Sequence, residues 1–182
     1  MAILKQGLVQ VYTGDGKGKT TASLGLAWRM LGWGGKVYIC QFLKPADFIT
    51  GEMQTAEMFK ENLVLEHLDA KWNMLAGLKD KDQVNAAQSA IDEKLKHIHK
   101  LAQQGEFDLI ILDELMFSLT HGLAEWPVVK SIIDDRASHV ELVFTGRGPD
   151  KRLLAKADLI TEMTLKRHPF EKGIIGRKGI EY

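Results

Sequence analysis

Between Gln10 and Thr21 the chain reads QVYTGDGKGKTT, with glycines alternating with charged residues directly after a short apolar run. The stretch Thr13-Gly14-Asp15-Gly16-Lys17-Gly18-Lys19-Thr20 fits the phosphate-loop frame G-x-x-x-x-G-K-[ST], except that Thr13 replaces the first glycine. The chemistry such a loop can do is anion binding. Gly14, Gly16 and Gly18 let backbone N–H groups converge on phosphate, and a helix starting at the end of the loop adds positive potential. Lys19 supplies a point charge, the Thr20 hydroxyl suits Mg²⁺ (or Mn²⁺), and Thr21 follows in the same turn. Asp15 is costly inside an anion nest unless it points outward or reaches the metal. Lys17 either offsets Asp15 or contacts a phosphate itself. A ligand-free strand-to-helix turn is the plain alternative, but turn chemistry alone explains Gly-Lys-Thr poorly.

A second acidic element is LIILDE, which places Asp113 and Glu114 at the end of a hydrophobic strand. Opposite a phosphate loop, such a carboxylate helps hold magnesium. The alternative is that Asp113 caps a helix starting at ELMFSL. Glu114 is suited to a water-mediated metal contact or a ribose hydroxyl. A third element, FTGRGPDKRLL, sets Arg147 between two glycines after another apolar strand. Arg147 either reaches a phosphate or carboxylate, or is a solvated loop residue.

Alternating strands and helices must carry these residues. Strands are expected at 7–12, 36–43, 63–68, 107–114, 140–146 and 158–164. Helices are expected at 20–32, 80–104, 126–136 and 149–157. The helix over 80–104 rests on Val84, Ala87, Ile91, Leu95, Ile98 and Leu101, spaced by three and four. The near-continuous apolar run FDLIILDE predicts a strand buried on both faces. This alternation predicts an α/β fold: a mostly parallel sheet with helices on both faces. Segments 44–62 and 69–80 read as irregular. No linker or repeat divides the chain, so 1–182 reads as one domain.

Composition narrows the function. The 182 residues are 45% hydrophobic and 26% charged, with 24 basic and 24 acidic side chains. The zero net charge carries no electrostatic footprint for nucleic acid. A single cysteine, Cys40, excludes an internal disulfide framework and fits a reducing, cytoplasmic location. Neither a signal peptide nor a transmembrane run is expected, and no membrane partner. Six histidines lack ligand-like spacing, so His168 carries no metal role.

The ordered set YTGDGKGKTTASLGLAWRMLGWG, VYICQFLK, LIILDEL, VELVFTGRGP, ADLITEM and HPFEKGIIGRKGIEY resembles the P-loop ATP:corrinoid adenosyltransferases over most of the chain. The resemblance implies a RecA-like P-loop fold and a homodimer. It implies transfer of the 5′-deoxyadenosyl group of ATP to the Co(I) of a corrinoid, with triphosphate leaving. A reductase partner supplies the Co(I). The resemblance also implies that ATP lies reversed in the loop relative to ordinary P-loop enzymes. Gly14 to Thr20 would bind the triphosphate, and Thr20 with Asp113 or Glu114 would organise Mg²⁺. Lys17 and Lys19 become stabilisers of the leaving group. Longer family members carry an N-terminal helical lid, expected here to be absent or replaced. The family's GFTW-like aromatic stretch corresponds to HLDAKWNML, making Trp72 the candidate corrinoid contact. Two other readings stay open: a small-molecule kinase or ATPase, and a non-catalytic nucleotide- or corrinoid-binding module.

Overall fold

Three apolar runs with no polar face force a sheet covered on both sides. They form β2 (Val37–Phe42), β4 (Leu109–Asp113) and β5 (Glu141–Thr145), and every residue in all three is buried. The computed structural model describes residues 2–44, 48–68, 77–148 and 150–182. The other strands are β1 (Val9–Thr13), β3 (Leu63–Leu68) and β6 (Leu159–Glu162). All pairings are parallel, in the order β3-β2-β4-β5-β1-β6. The expected parallel sheet is therefore present, and β5 separates the strand of the glycine loop from the strand of Asp113.

Parallel strands need crossovers, and the helices supply them on both faces. One face is packed by α3 (Lys81–Gln104), α4 (Leu115–Thr120) and α5 (Trp126–Asp134), through residues such as Ile91, Leu95, Ile98, Leu119 and Ile132. The other takes α1 (Lys19–Gly32) and α2 (Gly51–Met58), through Ala27 and Ala56 against Val37, Ile39 and Val143. The spacing that predicted α3 is realised: Ala87, Ile91, Leu95 and Ile98 are all buried. Asp80 starts this helix by accepting from the amides of Asp82 and Gln83, and Gly105 ends it in the left-handed region. Pro127 lies in the first turn of α5, where its missing N–H removes no helical bond. A short α6 (Lys151–Leu154) is capped by Asp150.

One helix lies where the sequence predicts none, and a second is the helix that ELMFSL offers as an alternative reading. Helix α2 falls within the segment read as irregular. Of GEMQTAEM only Ala56 is buried, so the segment carries no apolar stripe to read. Helix α4 has six residues and follows β4 without a loop. Cys40 is fully buried, and burial first of all pushes its thiol up to about 12. It is an inert core residue.

Candidate functional site

The glycine loop joins β1 to α1, and its shape is fixed from behind by the chain that follows β6. The Gly16 amide donates to the Met163 carbonyl at 2.7 Å, and Met163 N–H donates to Thr13 O at 2.8 Å. A Cβ on Gly14 would lie 2.4 Å from the Met163 oxygen, and one on Gly16 would lie 2.7 Å from it. No side chain fits there. Gly14 and Gly18 have φ of 95° and 119°, conformations open to glycine. The sequence reading gave Gly14 and Gly16 a shared part in an amide nest. Their geometry shows a second role, close packing against β6, and the Gly16 N–H is already used.

The first turn of α1 is different. Gly18 caps it with no side-chain hydrogen bond, and no acidic residue stands in that turn. The first amides of a helix have no intrahelical acceptor, so the turn from Lys19 to Thr21 presents a positive end. Lys19 is 6% exposed, and its Nζ donates to Gly14 O at 2.7 Å and Gly16 O at 2.9 Å. Burial lowers its pKa, while nearby Glu114 acts the other way.

Asp113 is 1% exposed and does not cap a helix; α4 begins at Leu115, with Glu114 in the cap position. Three side chains donate to the Asp113 carboxylate. Thr20 and Thr145 hydroxyls reach Oδ1 at 2.9 and 2.6 Å, and Gln41 Nε2 reaches Oδ2 at 3.1 Å. Thr20 spends its proton on Asp113, which turns its oxygen lone pairs outward to accept a cation. Glu114 has φ 61°, a left-handed conformation that side chains disfavour by about 1–2 kcal/mol. Its amide is held by the Thr145 hydroxyl at 3.0 Å. Burial, then the adjacent Asp113 charge, raises the Glu114 pKa; Lys19 and Arg147 partly offset this.

A cavity of about 570 Å³ opens over this floor. Asp15 to Thr21, Lys44, Glu114 and Arg147 line it, and a second cavity of about 530 Å³ adjoins it, sharing Thr20, Thr21, Lys44 and Glu114. Leu43, at φ 60°, is the other non-glycine residue with positive φ among the described residues, and it too lines the first cavity. Strained backbone thus flanks the site at the ends of both β2 and β4. Asp15 is exposed and lines the cavity. Lys17 does not offset it: Nζ donates to Ile180 O at 3.0 Å and pairs with Glu181 at 3.2 Å. Arg147 is exposed but stands at the cavity rather than away from it.

The structure therefore brings Lys17, Gly18, Lys19, Thr20, Thr21, Asp113, Glu114 and Arg147 to one place. Trp72 lies outside the described residues. His168 lines the cavity, but its Nδ1 accepts from the Phe170 amide at 3.2 Å, capping a 3-10 turn. Sequence reasoning missed Gln41, Lys44, Glu52 and Thr145. The signal for Gln41 and Thr145 was present, since each is a lone polar side chain near the carboxyl end of an apolar strand. Glu52 had no such signal. Among the described residues no cluster of three His, Cys, Asp or Glu forms a metal cage.

The comparisons agree with this chemistry. The family model of the ATP:corrinoid adenosyltransferases BtuR/CobO/CobP matches residues 5–182. A corrinoid adenosyltransferase of Pseudomonas aeruginosa is 32% identical over 98% of this chain and 85% of its own. That of Escherichia coli K12 is 28% identical over 98% and 87%, and that of Salmonella typhimurium 30% over 98% and 87%. A KaiC-like protein from Pyrococcus horikoshii OT3 superposes with a TM-score of 0.59 at 16% identity, covering 90% of this chain and 75% of that one, which shows the α/β P-loop fold. With a phosphate loop and an acidic strand end facing one cavity, and a family match over nearly its whole length, the chain belongs to the ATP:corrinoid adenosyltransferase family.

Proposed function

We propose that the first cavity holds the triphosphate of ATP against α1, leaving the 5′ carbon open to a reduced corrinoid. The reaction is ATP-dependent adenosylation of a corrinoid, as the family implies. Cobalt(I) supplies the electron pair that forms the Co–C5′ bond. The C5′–O bond breaks, and its electron pair leaves with inorganic triphosphate. Co(I) is already a strong nucleophile, so the protein needs no base. Its tasks are to align C5′ with cobalt and to stabilise the departing charge.

The observation that carries this reading is the pairing of an uncapped helix start with a buried lysine and a saturated carboxylate. The first-turn amides and Lys19 receive phosphate oxygens, with Lys17 and Arg147 at the rim. Lys19 must leave the Gly14 and Gly16 carbonyls to do so. The Thr20 hydroxyl and Glu114 fit a magnesium ion, with Asp113 orienting Thr20 from behind. When bound, that ion neutralises charge on the triphosphate.

Further parts of the reading rest on less. A homodimer is supported by exposed Trp28, Trp33 and Met58 on the α1–α2 side, 62%, 80% and 79% accessible. A separate reductase supplies the Co(I), as the family resemblance implies. A reducing cytoplasm suits an enzyme whose substrate is Co(I). An anaerobic assay with reduced corrinoid and MgATP tests the function. Adenosylated corrinoid and intact triphosphate, in equal amounts, are expected. Release of phosphate or pyrophosphate alone overturns it, and steady ADP formation without corrinoid indicates a kinase or ATPase.

A further inference from the structure

Asp113 is oriented by a chain of contacts that begins on α2. Gln41 is fully buried, and its Nε2 lies 3.1 Å from Asp113 Oδ2 and 3.1 Å from Glu52 Oε1. Two carboxylates on one nitrogen fix the amide, because a carbonyl oxygen in that place would face two anions. The opposite end of the amide accepts a penalty: Gln41 Oε1 is buried without a partner among the described residues. The same Glu52 oxygen takes Lys44 Nζ at 3.3 Å, and Lys44 lines both cavities. Burial alone would raise the Glu52 pKa, but hydrogen bonds from its own amide, Gln41 and Lys44 hold it below the ordinary range. Helix α2 buries only Ala56, so its apolar face is a weak anchor and this polar link locates it.

We propose that Glu52 is a positioning residue for the nucleotide site. Through Gln41 it holds the Asp113 carboxylate in the rotamer that receives Thr20 and Thr145. Through Lys44 it keeps a cation on the wall shared by the two cavities. Thr20 can direct its lone pairs at a metal only while Asp113 keeps that rotamer. Metal-dependent ATP binding therefore depends on a helix outside the phosphate loop.

This inference rests on the magnesium reading above, and its test separates the two. Titration calorimetry of ATP into the full chain, without corrinoid and across a series of magnesium concentrations, reads binding rather than turnover. Glu52→Ala is expected to raise the magnesium concentration needed for half-maximal ATP affinity roughly tenfold, as for other residues that orient a metal ligand. Glu52→Gln, which keeps an acceptor for Gln41 and Lys44, is expected to recover most of that loss. Asp113→Asn is the reference. If it leaves the magnesium dependence unchanged, the metal reading falls. If it shifts the dependence and Glu52→Ala, folded by its thermal transition, does not, the positioning role alone falls. It falls also if Lys44→Met reproduces the whole effect, since Glu52 then acts through Lys44 only. Should Glu52→Ala fail to fold, Gln41→Met cuts the same link from the β2 side and carries the same expectation.

Discussion

The inner and outer halves of the cavity are built on opposite rules. Inside, Thr20, Thr145 and Gln41 all donate to Asp113, and Lys19 is buried against backbone carbonyls. Outside, Asp15, Lys17 and Arg147 are exposed, and Lys17 is tied to a C-terminal segment that is itself largely exposed. The Asp113 carboxylate and its donors hold their geometry before substrate arrives, and Lys19 needs only to exchange carbonyl partners for phosphate. The outer groups act through water and salt, where one charge contributes little. The difference teaches that two lysines of one loop, two residues apart, should behave as different kinds of group.

The largest test of that contrast is Lys19→Ala. It should lose about 2–4 kcal/mol of transition-state stabilisation, read as kcat/KM in the anaerobic assay. A near-parental rate would break the inner half of the comparison. Asp113→Asn comes next. With its carbonyl oxygen kept on the two hydroxyls, its NH2 meets the Gln41 donor, so unfolding stability should fall by about 1–3 kcal/mol, measured by denaturant titration.

Glu114→Gln should move stability the other way. The folded pKa of Glu114 lies above its unfolded value, so the folded state binds the proton more tightly. The stability linked to that proton is present below the ordinary glutamate range and is lost as pH rises through the raised folded pKa. Glutamine removes the loss. Tm at neutral pH should rise by about 2–4 °C, and the gap should close in acid. A pH-independent difference would show that Glu114 is not held in a charge-averse setting. The smallest effect is expected at the rim. Lys17→Ala should weaken MgATP binding by about 0.2–1 kcal/mol, shrinking further as salt is raised. A loss equal to that of Lys19→Ala would erase the distinction.

Much of this was legible in the chain itself. The strand at 63–68 has its expected bounds, and α3 follows its apolar spacing because it buries one face of recognisable period. The phosphate-loop residues and the Asp113-Glu114 pair were readable because backbone freedom, charge and position after a strand coincide there. The rest depends on tertiary contacts that leave no local trace. Helix α2 is held by one buried alanine and a carboxylate rather than a stripe. Gln41 looks like a lone polar residue in a core strand until Asp113 and Glu52 arrive from far along the chain. The Gly16 amide reads as free for phosphate until Met163 takes it.

That last contact sets an order of events. The loop lies near the beginning of the chain, but the carbonyl that braces it comes after the final strand. During synthesis the first helix and its glycines emerge early, and the surface they need does not yet exist. The brace behind Gly14 and Gly16 is therefore completed late in the growing polypeptide, when Met163 docks there.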